Sequence, residues 1–394
     1  MRRSVPTIDR HVAWTPLLAV AASATIFTTT QGLTYPLLAL RLDHMAVSTW
    51  FIGINAAMTP AGMIVAAAAV PSLIPRVGSY ALMMTSLLGA MLALLAIGAN
   101  SPPLLWFPLR FAIGVFLATI FVATDTWVNQ LASEASRGRI LGFYSALLSI
   151  GFAAGPAALA VLGPFGRSAF IACAACPLVA SLPLFLVRHQ LPPSPYGPAV
   201  SLRAFARSAP LLLLCVIAVA LTEQGAMSLL PIYALRQRMS LTESSLTLVV
   251  MIAGSIMLQY PIGSLADRLA RPLATAMCAA AAALAAALLP WGVQIPGLFW
   301  VLIFIWGGAY YGIYTLSLVR LGECYSGGLL VAGSAAFGAM WGIGGVIGPP
   351  LIGGAMNILG PAGLPLAIAA VYAAIAVGVG ISGRGHGTRK SGRR

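Results

Sequence analysis

The chain has 394 residues, of which 60% are hydrophobic and 8% are charged, and its mean hydropathy is +0.94. Soluble domains carry about 25% charged residues, so this composition excludes a soluble protein of any fold class. The formal net charge of +14 would suit a nucleic-acid partner, but the basic residues are scattered among short joints and a tail. We therefore expect a membrane protein that binds no nucleic acid.

Twelve apolar runs follow one another along the chain, each long enough to cross a bilayer as a helix of roughly 20 residues. Backbone groups in hydrocarbon must be paired within their own segment, so each run is predicted to be a helix. The predicted spans are 14–39, 50–70, 79–99, 104–129, 140–162, 168–187, 209–233, 244–264, 273–291, 298–319, 331–356 and 362–381. The sequence therefore predicts an all-α integral membrane protein with twelve transmembrane helices.

The basic residues fix the predicted orientation. If the N-terminus lies in the cytoplasm, 17 of the 22 basic residues fall on the cytoplasmic side and four on the outer side, with Arg110 left inside span 4. The positive-inside rule then predicts that both termini are cytoplasmic. Arginine greatly outnumbers lysine, and this composition favours a bacterium, so we expect the location to be the bacterial cell (inner) membrane.

Three sequence patterns occur twice in the chain, and the distance between the two copies is nearly the same for all three. Gln31-Gly32 recurs as Gln224-Gly225, and Gly151-x-x-x-Gly155-Pro156 recurs as Gly344-x-x-x-Gly348-Pro349, both 193 residues later; Leu73 and Arg76 recur as Leu265 and Arg268 after 192. The repetition predicts two pseudo-symmetric six-helix bundles of like orientation. The predicted domains are an N-terminal bundle (1–187), a cytoplasmic linker (188–208), a C-terminal bundle (209–381) and a basic cytoplasmic tail (382–394).

The glycine–proline pattern has a physical interpretation. Glycines four residues apart lie on one helix face and let a neighbouring helix approach closely. Proline inside a helix cannot donate its hydrogen bond, so Pro156 and Pro349 are predicted to bend spans 5 and 11. Ordinary helix packing alone would explain one glycine pair, whereas the added prolines and the duplication favour a bend that serves movement.

The stretch Gly263-x-Leu265-Ala266-Asp267-Arg268-x-x-Arg271 is a polar turn between spans 8 and 9. It resembles the signature loop of the major facilitator superfamily of secondary transporters. Arg110-x-x-x-Gly114 resembles that family's fourth-helix motif, and the glycine–proline pattern resembles the fifth-helix motif of its proton-coupled antiporters. The run Thr126-Trp127-Val128-Asn129, followed by Arg137-Gly138-Arg139, resembles the YcaD-like branch. The resemblance implies the family fold and alternating-access transport, with spans 1, 4, 7 and 10 lining a central cavity.

Charges inside the membrane are the candidate coupling residues, because each is costly unless it is paired or hydrated. Glu223 lies well inside span 7, Arg110 in the outer part of span 4, and Asp125 about one turn from the inner end of span 4. Removal from water favours the neutral carboxyl, so Glu223 is the candidate proton carrier, and Arg110 nearby would favour proton release. Two alternatives remain: Glu223 as a permanently neutral acid, and Asp125 as the partner of Arg137 or Arg139.

Further polar side chains fall on the spans that the resemblance assigns to the cavity. These cavity candidates are Gln31, Gln224, Tyr310, Tyr311 and Tyr314. Glutamines also hydrogen-bond between helices in any bundle, so we expect only some of the candidates to touch substrate. A mostly apolar cavity with one acid would suit an amphipathic or cationic cargo.

The signature loop supplies a predicted gate made of Gly263, Asp267, Arg268 and Arg271. Asp267 can face the positive end of a helix dipole in the other half, by pseudo-symmetry near residues 139–143 of span 5, and would stabilise the outward-facing state. Arg268 and Arg271 would hold local carboxylates or lipid headgroups. In the first-half copy, Pro71 and Pro75 replace the glycine and the aspartate, so one of the two expected gates is missing.

No pattern indicates catalysis. The four histidines lie outside the spans, and Cys173-x-x-Cys176 lies in span 6, where small residues pack helices. We expect no enzyme, no metal and no cofactor, with the proton gradient as the energy source. The expected function is proton-coupled efflux by a monomer in the lipid bilayer; the alternatives are a proton-coupled uptake permease and a membrane sensor or assembly subunit that does not transport.

Overall fold

The computed structural model describes residues 14–99, 101–132, 137–192, 207 and 209–391. Within these ranges the regular structure is helical, without a β-strand. Eleven segments are long and apolar enough to cross a membrane, and the last of them contains two helices separated by a short 3-10 turn at Gly360–Ala362. The described chain therefore has the twelve spanning helices that the sequence predicts.

The helices form two sets of six spans. The first half contains α1 (Trp14–His44), α2 (Thr49–Val77), α3 (Ser79–Gly98), α4 (Trp106–Leu131), α5 (Arg137–Leu162) and α6 (Arg167–Leu186). The second half contains α7 (Pro210–Arg236), α8a (Leu241–Met257), α8b (Gln259–Arg268), α9 (Arg271–Gly292), α10 (Leu298–Cys324), α11 (Gly327–Leu359) and α12 (Gly363–Ser391). The eighth span comprises α8a and α8b. We call the side on which α1 begins and α12 ends the terminal face, and the other side the opposite face.

Serine caps start the second and eighth spans at the opposite face. The Ser48 hydroxyl accepts a hydrogen bond from the Phe51 N–H at 3.2 Å. Ser240 makes a full capping box with Glu243: its hydroxyl accepts from the Glu243 N–H at 3.2 Å, and the carboxylate accepts from the Ser240 N–H at 2.8 Å. These bonds satisfy backbone donors that a helix start leaves unpaired.

The predicted turn between spans 8 and 9 is wrong in one respect. Most of the signature loop is the helix α8b, and only Leu269 and Ala270 separate it from α9. Pro261 lies in the first turn of α8b, where the missing N–H removes no intrahelical hydrogen bond, so a proline here does not prevent a helix. Several other helices are also longer than predicted: α1 continues to His44, α2 to Val77, α10 to Cys324, and α12 into the basic tail as far as Ser391.

Helix packing repeats from one half to the other. In the first half, α1 packs against α5 and α6, α2 against α4, and α3 against α4 and α6. Six spans later, α7 packs against α11 and α12, α8a against α10, and α9 against α10 and α12. The two halves meet where α2 packs on α11, α5 on α8a, and α1 on α7. The two halves are therefore two copies of one packing arrangement.

Candidate functional site

The hydrophobic core joins the two halves on the opposite face. One cluster of buried residues combines Leu37 and Leu40 of α1 with Tyr233 of α7 and Ile352 of α11. Nearer the terminal face, the other clusters each belong to one half. One runs from Leu17 to Leu184 in the first half; another runs from Ala209 to Phe337 in the second half. Apolar packing between the halves is therefore concentrated on the opposite face.

Three hydrogen bonds between the halves lie at the same face. Arg236 on α7 forms an ion pair with Asp43 on α1, with 3.0 Å between Nη2 and Oδ1. The Thr49 hydroxyl donates to the Gly353 carbonyl at 2.9 Å, and the Thr242 hydroxyl donates to the Ala160 carbonyl at 3.3 Å. Thr49 and Thr242 are 193 residues apart, and so are Ala160 and Gly353, and Asp43 and Arg236. The two repeats thus seal this face with matching bonds.

Glycines bring the helices of the two halves into backbone contact. A Cβ at Gly53 of α2 would fall on the carbonyl oxygen of Pro349, and a Cβ at Gly353 of α11 would fall on that of Thr49. Closer to the middle of α11, a Cβ at Gly345 would lie 2.8 Å from Cβ of Pro60. At these three glycines, α2 and α11 therefore leave no room for a side chain.

The predicted bend residues lie where helices pack within each half. The glycines at 151 and 155 face the α1 backbone near Thr25 and Leu33, and those at 344 and 348 face the α7 backbone near Ile217 and Leu221. Close packing accounts for all four glycines. The prolines of the pattern, Pro156 and Pro349, lie inside uninterrupted helices, and their role in a bend stays a prediction.

Glu223 of α7 is half-buried and points at α10. The hydroxyl of Tyr310 donates to its Oε1 at 3.2 Å. Its other oxygen, Oε2, is buried and has no hydrogen-bond partner. A buried carboxylate oxygen without a hydrogen-bond donor costs free energy. One carboxyl oxygen is thus bound by α10, and the other is enclosed by protein without a donor.

The tyrosine candidates of α10 form one aromatic surface beside this carboxyl. Ring centroids are 6.1 Å apart from Tyr310 to Tyr311 and 5.6 Å from Tyr311 to Tyr314. Trp341 of α11 extends the surface, with its ring centroid 5.0 Å from that of Tyr314. Tyr310 is buried, whereas Tyr311 and Tyr314 are half-buried. The surface combines apolar ring faces with hydroxyl groups.

The two glutamine candidates differ in their surroundings. Gln224 is buried next to Glu223, and its Oε1 has no hydrogen-bond partner. Its Cγ would lie 3.3 Å from a Cβ at Gly345, so this side chain sits at the junction of α7 and α11. Gln31 is half-buried and lines a cavity inside the first half. The structure therefore places only Gln224 directly beside the acid.

Arg110 points into the first half. Its side chain is fully buried, its Nη1 donates to Oδ1 of Asn55 at 3.1 Å, and its guanidinium lies 5.9 Å from the centroid of the Tyr35 ring. No ion pair joins Arg110 to Glu223 in this conformation, although both residues are among those described.

Asp125 lies near the terminal face and is exposed. The hydroxyl of Tyr144 on α5 donates to its Oδ1 at 2.9 Å. Of the two predicted alternative partners, Arg139 makes no ion pair with it, and the side chain of Arg137 lies outside what the structure describes. Asp125 is therefore linked to α5 within its own half, away from Glu223.

The predicted gate lies at the terminal face within the second half. Arg271 donates to Asp267 at 3.2 Å and to Glu323 of α10 at 2.9 Å. The Asp267 side chain is 74% exposed, and no hydrogen bond joins it to residues 139–143 of α5. Arg268 is exposed, and open space surrounds the Cβ position of Gly263. The loop thus has no partner in the first half among the described residues of α5.

Comparison with known protein families agrees with this architecture. The sequence model of the Major Facilitator Superfamily matches residues 17–349, which is most of the chain. The chain belongs to the major facilitator superfamily. As an MFS transporter it is a multi-pass membrane protein, and the predicted family and fold class are confirmed.

Relatives and solved structures agree with this membership. The MFS-type transporter YfkF of Bacillus subtilis is 26% identical over 361 residues, covering 88% of this chain and 91% of its own. The MFS-type transporter YcaD of Escherichia fergusonii is 26% identical over 341 residues, which cover 85% of this chain and 87% of YcaD. The crystal structure of the nucleoside transporter NupG has a TM-score of 0.75 at 13% identity, covering 92% of this chain and 98% of that one. The crystal structure of a bacterial homologue of the human lysosomal transporter Spinster, in an inward-facing and occupied conformation, has a TM-score of 0.74 at 15% identity. The match covers 93% of this chain and 96% of that one.

Sequence reasoning missed the contacts that join the halves of this MFS transporter. Asp43, Thr49, Arg236 and Thr242 were assigned no role, although each pair is separated by the same 193 residues as the recognised repeats. The 193-residue spacing within each pair was the sequence signal that could have identified these residues. Asn55 and Tyr35 had no comparable signal, because their contact with Arg110 depends on how α1, α2 and α4 pack.

Proposed function

We propose that this MFS transporter is a proton-coupled exporter of an amphipathic or cationic small molecule, working by alternating access in the bacterial cell (inner) membrane. The observation that carries the proposal is the Glu223 carboxyl, half-buried where α7 meets α10 beside an aromatic surface, with one oxygen bound to Tyr310 and the other without a donor. The protein needs no cofactor in this scheme, and the proton gradient supplies the energy.

The chemistry of coupling follows from that carboxyl. While it is surrounded by protein, the neutral acid is favoured. When water or a cationic cargo reaches it, the ionised form is favoured and the proton leaves. A cargo cation and a proton therefore compete for one group, which is what exchange of one for the other requires. Ring faces of Tyr311, Tyr314 and Trp341 would attract a cation and cover its apolar parts.

The distribution of contacts supports alternating access. The seal at the opposite face consists of apolar packing, an ion pair and two threonine bonds, and the core divides between the halves towards the terminal face. If both termini are cytoplasmic, as the positive-inside rule favours, this conformation is inward-facing. The Asp267 contact with α5 would then form only after the terminal face closes, when the seal at the opposite face breaks.

Transport of a probe cation in vesicles tests the function. Everted membrane vesicles that contain the protein should accumulate tetraphenylphosphonium when an imposed gradient makes the lumen acidic, in excess of vesicles without it. Accumulation under the reversed gradient instead would identify an uptake permease. A sensor or assembly subunit would give no gradient-dependent flux, and a purified protein that also binds no compound in a ligand-stabilisation screen would contradict transport altogether.

Weakening the seal is expected to change the balance of conformations. Asp43→Asn removes an ion pair whose side chains are 22% and 33% exposed, and such pairs contribute up to about 1 kcal/mol, so the open population should rise by up to roughly fivefold. Spin labels at residues 45 and 238, which lie in different halves on the opposite face, would report the change as a longer distance. The exchanged pair Asp43→Arg with Arg236→Asp should restore the wild-type distribution, and an unchanged distribution in Asp43→Asn would show that the pair does not hold the face closed.

A further inference from the structure

Arg110 carries a charge into the interior without a carboxylate to balance it. The residue is 0% exposed, and the side chain that it binds, Asn55, is neutral. A buried arginine is costly unless a counter-charge or water compensates it. The amide oxygen of Asn55 accepts one N–H of the guanidinium but supplies no negative charge.

Several donors beside Arg110 lack an acceptor. Nε and Nη2 of Arg110 and Nδ2 of Asn55 are all buried and have no hydrogen-bond partner. Three donor nitrogens, which carry five N–H bonds between them, are therefore without an acceptor at one guanidinium, and each costs free energy while unpaired. A group of donors with a net positive charge selects for an anion, since an anion satisfies the donors and the charge together.

The protein offers no acid of its own for this role within the described residues. Each described carboxylate has another partner: Asp43 binds Arg236, Asp125 binds Tyr144, Glu223 binds Tyr310, Glu243 belongs to a capping box, and Asp267 and Glu323 bind Arg271. The other two acids of the chain, Asp9 and Glu134, lie outside the described residues. None of the described carboxylates therefore supplies the compensating charge in this conformation.

A cavity lies beside the guanidinium. Its lining comes from α1 to α4 of the first half and includes Gln31, Thr34, Tyr35, Thr59 and Arg110. It has room for a body about the size of a water molecule, so a monatomic anion fits with a small outward shift of the lining, whereas a bulky organic anion does not fit. The space is separate from the aromatic surface beside Glu223, which belongs to the second half.

We propose that Arg110 and Asn55 bind a small monovalent inorganic anion, with chloride as the representative, in this cavity of the first half. After a small shift of the guanidinium towards the cavity, the anion accepts hydrogen bonds from Arg110 and neutralises it, and Asn55 holds the guanidinium from the other side. It stabilises the first half as a structural counter-ion. This site stands independently of the direction of transport and of the role of Glu223.

Thermal unfolding of the purified full-length protein tests the site. Chloride is titrated against gluconate at constant sodium concentration, so that ionic strength stays fixed and only the small anion changes. Wild-type protein should gain several degrees in Tm with chloride. Arg110→Gln should lose this response, whereas Arg167→Gln, which removes an exposed arginine of the same half, should keep it.

Asn55→Asp is the sharper variant, because it places a carboxylate within reach of the guanidinium. This internal counter-ion should make the Tm independent of chloride and at least as high as that of the chloride-loaded wild type. Bromide should give an anomalous scattering peak beside Arg110 in wild-type crystals. A chloride response equal in wild type and Arg110→Gln, or no response and no bromide peak in the wild type, would overturn the proposal; water alone would then satisfy these donors. If Asn55→Asp does not fold, the bromide peak and Arg110→Gln still decide.

Discussion

Glu223→Gln is expected to abolish transport driven by a pH gradient while the protein remains folded and inserted. The amide has nearly the size of the carboxyl and keeps an oxygen that can accept from Tyr310, so the local packing is preserved. What the variant loses is the proton that the acid takes up and releases. Without a titrating group, proton movement no longer accompanies cargo movement, and the gradient cannot do work on the cargo.

The comparison should be made in everted vesicles that contain equal amounts of protein, with tetraphenylphosphonium accumulation under an imposed pH gradient as the readout. Glu243→Gln is the matched control: it makes the same chemical change in the same half, and glutamine also serves in a capping box. The control should retain the wild-type rate. Wild-type accumulation by Glu223→Gln would show that the carboxyl is a structural acid and not a proton carrier.

Gly348→Ala is expected to destabilise the protein strongly for so small a change. A Cβ at this position would lie on the carbonyl oxygen of Leu221 and 2.7 Å from its Cα, so α7 and α11 would have to move apart. Overpacking of this kind costs about 1–3 kcal/mol. Because α11 also carries the contact with α2, the displacement should weaken both interfaces.

The same helix supplies the control. Open space surrounds the Cβ position of Gly338 on α11, so Gly338→Ala meets no neighbour and gains helix propensity of about 1 kcal/mol. The measurement is the temperature at which half of the detergent-purified protein is lost from the monodisperse peak on size-exclusion chromatography. Gly348→Ala should lower it by several degrees, and Gly338→Ala should leave it unchanged or raise it. Equal values for the two variants would contradict the packing seen here.

The fold was predictable from the sequence because its causes are local. A run of about 20 apolar residues has to be a helix in lipid, whatever its neighbours are, and the twelve runs required nothing else. The boundaries were less predictable, as α8b shows. Pro261 marks a helix start as readily as a turn, and only the hydrogen bonds around Leu258 distinguish the two.

The site was predictable only in part, because its contacts join residues that are far apart in the sequence. The cost of an intramembrane charge singles out Glu223 and Arg110 in the sequence. Which groups they contact depends on helix rotation: Tyr310 is 87 residues from Glu223, and Asn55 is 55 residues from Arg110. A half-turn of either helix would have exchanged these partners for others, and no spacing in the sequence records that angle.

The hydroxyls of Thr49 and Thr242 each donate a hydrogen bond to a carbonyl of the other half, at equivalent positions of the two repeats. If a mutation removes one threonine hydrogen bond, the equivalent bond still joins the other pair of helices. The barrier to ion leakage then keeps one of these two bonds. Asp43 and Arg236 have no such reserve, since each repeat contributes one member of a single pair. The permeability barrier should therefore tolerate a single mutation at either threonine better than at either charge.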